Sequence, residues 1–243
     1  MIKLQRGGKP AYLTKEKEKE KEKELTDAFK KDNTKQVWKH EKIGKSLLES
    51  SSYKCAYCEC KLQIQDSYMQ IEHFKDKDTY PDDVVNWDNL LPSCARCNRK
   101  KWTLDVVLKP IINPYVDDPK SHLCQQAFRL YSKDVKGETT ITELFLNDDE
   151  RIVYPRFLAS NEMGKQLTEL ISSANDLSKI RNGVTRLLQA CQANQPFSAF
   201  IACALHLNND YSKLKQLLIN NNLWDADLME LDKNSINIAL DSR

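Results

Sequence analysis

The sequence predicts an α+β protein, mostly helical, and three observations carry that expectation. Two strand-like runs, KLQIQ and YMQIEHF, flank Asp66-Ser67 and are followed by a turn-rich loop and the helix-like SCARCNRKK. Two C-x-x-C pairs, Cys55/Cys58 and Cys94/Cys97, stand at the two ends of that unit. From about Asn147 onward, LTELI, TRLLQA, AFIACALHL and KLKQLL place apolar residues at three- and four-residue intervals, the period of a helix with one buried face. The expected organisation is a helical N-terminal arm over 1–50, a cysteine-clamped core over 51–124, and a C-terminal hairpin and helical bundle over 125–243.

Taken in order, KEKEKEKEKE (15–24) alternates sign at every position, which puts like charges at i,i+4 and opposite charges at i,i+3 on a helix. The gain is small, so this run reads as a solvated helix or frayed arm leading to Leu25 and Phe29. A second helix is expected over 34–50, burying Val37, Trp38, Ile43, Leu47 and Leu48. Within the core the expected order is strand, strand, loop, helix, the loop being KDKDTYPDDVVNWDN. Pro110, Pro114 and Pro119 mark a boundary, after which AFRLYS and ETTITELFL suggest a second hairpin around Lys136-Gly137. The C-terminal helices read as a core-forming bundle without catalytic chemistry and as the expected docking surface for a partner.

Composition limits the function classes. With 243 residues, 40% apolar and 30% charged, the chain fits a soluble globular protein, and no apolar run reaches the ~18 residues that span a bilayer. MIKLQRGGKPAYLT has no apolar leader core, so a cytoplasmic location is expected. The net charge of +2 divides unevenly: residues 1–109 carry 23 Lys/Arg against 18 Asp/Glu, a net of +5, and residues 110–243 carry 14 against 17, a net of −3. The front half can face a polyanion, although that excess can equally serve solubility.

Eight cysteines in a reducing compartment are not a disulfide framework. Cys124, Cys191 and Cys203 are scattered among apolar neighbours and read as small buried hydrophobes. The two C-x-x-C pairs supply the four thiolates of a closed, structural Zn²⁺ site, because two intervening residues let both sulfurs of each pair turn to one point. Cys60 is a surplus thiol that can replace Cys58, whose spacing to Cys55 matches the other pair. Such a site ties the knuckle at Cys55 to the helix at Cys97 and holds the strand carrying Glu72-His73 against that helix.

Inside the clamp the polar order is Glu72-His73, Asn89, Asn98. Phosphodiester hydrolysis needs a base for water, for which a neutral imidazole is suited. It also needs a divalent cation held by carboxylate or amide oxygens, and a group that fixes the imidazole tautomer. Taken singly, His73 reads as an edge-strand histidine, Asn89 as a turn residue and Asn98 as a helix start. Their conjunction within the clamp is what points to a site. Arg96, Arg99, Lys100 and Lys101, followed by Trp102, would offer cations to phosphates without reading sequence. For any one of them a solvated helix end is an equal reading. His122 is a further residue that could approach the metal, while His40 and His206 have no visible partner.

C-x-x-C, E-H, N-L-L and C-x-x-C-N-x-x-K together resemble the HNH endonuclease motif over residues 55–101. The resemblance implies a ββα-metal HNH core with two zinc knuckles. Within it His73 would be the general base, Asn89 would orient loop and base, and Asn98 with Glu72 would bind a catalytic Mg²⁺ or Mn²⁺. Asp or His is commoner than Glu before the base, and the longer arm of Glu72 can change the metal distance. QRGGKP, IGKSLLESSSYKCAYCE and INPYVDDPKSHL further resemble the HNH subunit family (PtuB) of bacterial Septu anti-phage systems, including retron-associated ones. That resemblance implies a PtuA-like ABC/SMC-type ATPase partner and DNA as substrate. RNA, tRNA included, is the alternative substrate, and a non-catalytic zinc-knuckle adaptor is the alternative class.

Overall fold

A computed structural model describes residues 1–13, 18–64, 67–173 and 175–243. The alternating-charge run is helical where described: α1 spans Glu18–Lys31, and residues 15–17 of the run lie outside the described residues. Helix α2 is shorter than expected, Glu41–Ser50, because His40 caps it, its Nδ1 accepting the Lys42 N–H. Val37 and Trp38 therefore precede the helix, and Trp38 packs with Phe29, Val84 and Val85.

The expected KLQIQ–YMQIEHF hairpin is not formed. Strand β1, Met69–His73, pairs antiparallel with β2, Leu90–Cys94, in the register Met69↔Cys94 to His73↔Leu90. The start of KLQIQ instead closes the cysteine knuckle through the single bridge Lys54↔Lys61, and of the expected hairpin only the single bridge Ile64↔Ser67 is present, with Ile64 exposed; residues 65 and 66, between them, lie outside the described residues. The order is thus strand, loop, strand, helix. LLPSC concealed its strand because all five residues are buried, which removes the alternating pattern, and because it contains Pro92. Helix α3, Ala95–Lys101, follows directly, Cys94 Sγ accepting the Cys97 N–H at its start.

After the four-residue helix α4 (Pro119–His122), β3 (Leu123–Gln126) and β4 (Arg129–Ser132) form a hairpin, in place of the one expected around Lys136-Gly137. Its turn is Ala127-Phe128, both at positive φ (47° and 67°), as a two-residue hairpin turn demands. ETTITELFL is not a strand: Asp134 caps Gly137 N–H and starts α5, Val135–Glu143. Gly137 is required there by packing, since a Cβ would lie 2.2 Å from the His122 carbonyl oxygen. The periodic C-terminal segments form α6 (Tyr154–Ser172), α7 (Leu177–Ala190), α8 (Ser198–His206), α9 (Asn209–Asn220) and α10 (Ala226–Ile238). The two-residue β5 (Asp241–Ser242) then adds parallel to β3.

One core cluster runs from Met1 and Leu4 through the clamp cysteines to Leu123, Leu146 and Phe200, and a second fills the α6–α10 bundle. The expected boundary at 124/125 falls inside β3. The N-terminal segment lies against this core: Leu4 N–H bonds the Pro114 carbonyl, and Arg6 bonds the Trp87 and Leu90 carbonyls while stacking 3.9 Å over Tyr115. No helix among the described residues is long and apolar enough to cross a membrane.

Candidate active site and metal clamp

The knuckle 53–62 folds on itself, Cys55 N–H bonding the Cys60 carbonyl, and Ala56 N–H bonds Pro92 of β2. This brings the thiols of Cys55, Cys58, Cys60 and Cys94 within 4.8 Å of one another. Cys97, the fourth expected ligand, is not among these four; fully buried in the first turn of α3, it donates its backbone N–H to Cys94 Sγ at 3.4 Å. All are free thiols. The Cys58–Cys94 sulfur separation is 3.8 Å. A tetrahedron with Zn–S bonds of ~2.3 Å has an edge of about 3.8 Å, so the donors fit Zn²⁺ in both type and spacing. Five sulfurs serve four positions, and the choice lies between Cys60, which is half-exposed, and Cys97.

A divalent ion with four thiolates carries a net charge of −2, and cations are buried beside it. Arg156 of α6 is fully buried, bonds the Leu146 carbonyl at 3.1 Å and stacks 4.0 Å over Phe200. Its Nε and Nη2 have no hydrogen-bond partner, and burial holds it down at about 10 against the upward pull of Cys58, Glu59 and Cys97. Glu59, between Cys58 and Cys60, takes the Met1 amino group at 2.7 Å and Lys54 at 3.4 Å. Although burial opposes its ionisation, these cations hold it down at about 2. Lys54 also reaches the Gln195 carbonyl at 3.0 Å, and Ser198 donates to Glu59 at 3.0 Å, tying the knuckle to the start of α8.

On the other side of β1–β2–α3 lies an open cleft of about 910 Å³ lined by Glu72, His73, Asn98, Arg99 and Trp102, among others. Helix α3 runs alongside β1, with Asn98 Nδ2 donating to Gln70 Oε1 at 2.6 Å and Lys101 Nζ donating to the His73 carbonyl at 2.8 Å. His73 is 8% exposed and packs edge-on against Trp38 at 4.8 Å. Its Nε2 donates to the Val84 carbonyl at 2.9 Å, since a carbonyl can only accept, which leaves Nδ1 as the basic nitrogen. Burial pulls the imidazole down to about 4, with Lys77 and Lys101 adding to the shift, so it is neutral at pH 7.

Asn89 does not touch His73. Its amide accepts from Lys75 N–H at 2.7 Å and donates to the Lys75 and Asp83 carbonyls at 3.1 Å, closing the 75–89 loop next to Val84. Glu72 is 3% exposed and paired with Lys101 at 2.8 Å; burial raises it to about 7 in spite of that partner. A carboxylate and an amide carbonyl are the oxygen donors that Mg²⁺ or Mn²⁺ takes. The amide nitrogen of Asn98 is committed to Gln70, which leaves its carbonyl oxygen for a cation, whereas Glu72 would share its carboxylate between the ion and Lys101.

Of the four cations expected to meet phosphates, two are otherwise engaged. Lys101 is 2% exposed and bound within the fold. Arg96 bonds the carbonyls of Leu144 and Phe145 and pairs with Asp148 at 3.4 Å. Alternate residues of a short helix face different layers, and a run of basic letters does not say which face each occupies. Arg99 and Lys100 are exposed, Lys100 lying 4.7 Å over Phe145. His122 pairs with Asp134 at 2.5 Å and is not among the residues lining the cleft. Sequence reasoning missed Val84 and Trp38, which hold the imidazole. A backbone carbonyl leaves no side-chain signature, and Trp38 lies 35 residues before His73.

The HNH endonuclease family profile matches residues 55–103. A Septu protein PtuB of Bacillus thuringiensis is 41% identical over 246 aligned residues, covering 97% of this chain and 93% of the relative. This chain belongs to the PtuB family. A second PtuB, from Bacillus mycoides (strain KBAB4), is 32% identical over 160 residues, 51% of this chain and 54% of that protein. The PtuB likeness thus extends beyond the clamped unit into the N-terminal segment and the C-terminal helices, while the HNH match is confined to the knuckle, β1, the loop, β2 and α3. The cysteine cluster that could hold zinc lies within that match, as do the cleft residues from Tyr68 to Thr103, whereas Gln36, Trp38, Lys39 and His40 line the cleft from outside it.

Proposed function

We propose that this chain is a metal-dependent endonuclease that hydrolyses phosphodiester bonds of DNA in bacterial anti-phage defence. The observation that carries the reading is a neutral imidazole, His73, tethered by one nitrogen to a carbonyl and opening with Glu72 and Asn98 onto one cleft. His73 takes the proton of the attacking water at Nδ1 while Nε2 stays on Val84. Asn89 acts through the loop it closes, keeping the Val84 carbonyl in place. Glu72 and Asn98 would hold a Mg²⁺ or Mn²⁺, which when bound would supply electrophilic stabilisation of the scissile phosphate. Arg99 and Lys100 position the backbone, and no base-reading element accompanies them, so little intrinsic sequence preference is expected.

Cys55, Cys58, Cys94 and Cys97, or Cys60 in place of Cys97, hold the structural Zn²⁺. The chain works in the cytoplasm with a PtuA-like ABC/SMC-type ATPase. The bundle after residue 147 is the proposed docking surface. Co-purification of a neighbouring ATPase with the full chain, and its loss on deleting that bundle, is the check.

The catalytic assignment of His73 is tested by His73→Ala. Cleavage of DNA should fall ~10²–10⁴-fold with zinc content unchanged and the chain still folded, if less stable for the lost packing on Trp38; full activity would sink the assignment. RNA cut in preference to DNA by the unaltered protein would transfer the same chemistry to the other polymer.

A further inference from the structure

Trp102 ends helix α3 in a conformation that its residue type disfavours. Its N–H closes on the Asn98 carbonyl at 3.0 Å, and its backbone sits at φ 45°, ψ −124°. Positive φ at a helix end is the usual place of glycine, because a Cβ crowds the neighbouring carbonyl. A bulky aromatic held there costs stability, and such strain collects where it serves a site. The side chain gains nothing from the core in return, since it is 71% exposed.

Its position is informative. Asn98 lies opposite Gln70 and Lys101 opposite His73, so Trp102 stands at the His73 end of the cleft. Tyr68, 67% exposed, borders the same cleft from the residue before β1, at its other end. Exposed Arg99 and Lys39 also line it. Aromatic faces interleaved with cations around a phosphodiester site are the components of a single-strand binding groove, in which bases stack and phosphates are neutralised. A base inside a duplex has no free face to offer.

We propose that Trp102 is a stacking platform for an unpaired base, with Tyr68 a second one, so that the cleft takes a strand that is single-stranded beside the bond to be cut. This rests on the nuclease reading for the role of the cleft, and it adds the substrate's state. Duplex is then a substrate only where it is frayed, gapped or opened by another factor. DNA and RNA both present such bases, and the probes include each.

The test measures binding of the full chain carrying His73→Ala to short mixed-sequence oligonucleotides, as single-stranded DNA, single-stranded RNA and blunt duplex. Adding Trp102→Ala should weaken single-strand binding ~5- to 100-fold while leaving duplex binding within about twofold, and Trp102→Phe should restore most of the loss. Trp102→Gly should lose affinity as Trp102→Ala does, yet raise the melting temperature by relieving the backbone. Equal losses on single strand and duplex, or no loss, would overturn the stacking role. So would a Trp102→Ala defect confined to capture of the ATPase partner. Cleavage that survives His73→Ala would remove His73 from the catalytic role by itself and leave the binding comparison readable, and no cleavage of any oligonucleotide by the unaltered chain would fell the nuclease reading.

Discussion

The two sides of the β1–β2–α3 unit spend charge in opposite ways. On the clamp side Lys54, Glu59 and the Met1 amino group are buried and answer one another, and Arg156 is buried on two backbone carbonyls. On the cleft side Arg99 is exposed and has no ion-pair partner among the described residues, and Trp102 beside it is exposed too. Helix α3 contributes to both within three residues: Arg99 faces solvent, and Lys101 is locked to Glu72 and the His73 carbonyl. One side is closed and holds; the other is open and can receive a ligand. A basic residue in this motif is thus defined by the layer it faces, not by its letter.

The largest expected break of this contrast is on the clamp. Cys94 belongs to either possible set of four thiolates, so Cys94→Ser should lose zinc and with it cooperative unfolding. Structural sites of this kind contribute ~10–16 kcal/mol to folding in small domains. Metal analysis and a melting curve are the measurements, and normal zinc content would contradict the clamp. Cys60→Ser and Cys97→Ser sharpen the same point, because the variant that keeps its zinc identifies the thiol that is not a ligand.

Lys101→Met should come next. It leaves the Glu72 carboxylate buried without its cation, which costs ~3–5 kcal/mol of stability by denaturant titration. A loss of stability near zero would show that Lys101 behaves as a surface cation after all. Arg99→Ala should be the smallest, within about 0.5 kcal/mol in stability. It should instead weaken nucleic-acid binding evenly across sequences and lower the salt slope by ~1. Equal stability losses for Lys101→Met and Arg99→Ala would erase the distinction between the two faces.

Much of the site was legible because its groups are close in sequence. C-x-x-C spacing is a local geometric signal, and the Glu72-His73, Asn89 and Asn98 set lies inside the clamp it defines. The bundle was legible through period, which survives because α6 to α10 each bury one stripe. Strand β2 was not, since a fully buried strand interrupted by Pro92 lacks the alternation that marks YMQIEHF. The Thr-rich run of α5 was misread because Asp134 and a glycine packed on the His122 carbonyl decide its state from outside the run.

The sequence by itself determined the donor types, their spacing and the helical periods, because these depend on neighbours along the chain. Only the tertiary structure decided that Val84 holds His73, that Lys101 is buried and Arg99 exposed, and that Arg156 is buried against Phe200. Those outcomes depend on burial and on backbone groups brought together by folding, and burial is a property of the packed layers rather than of any residue in them.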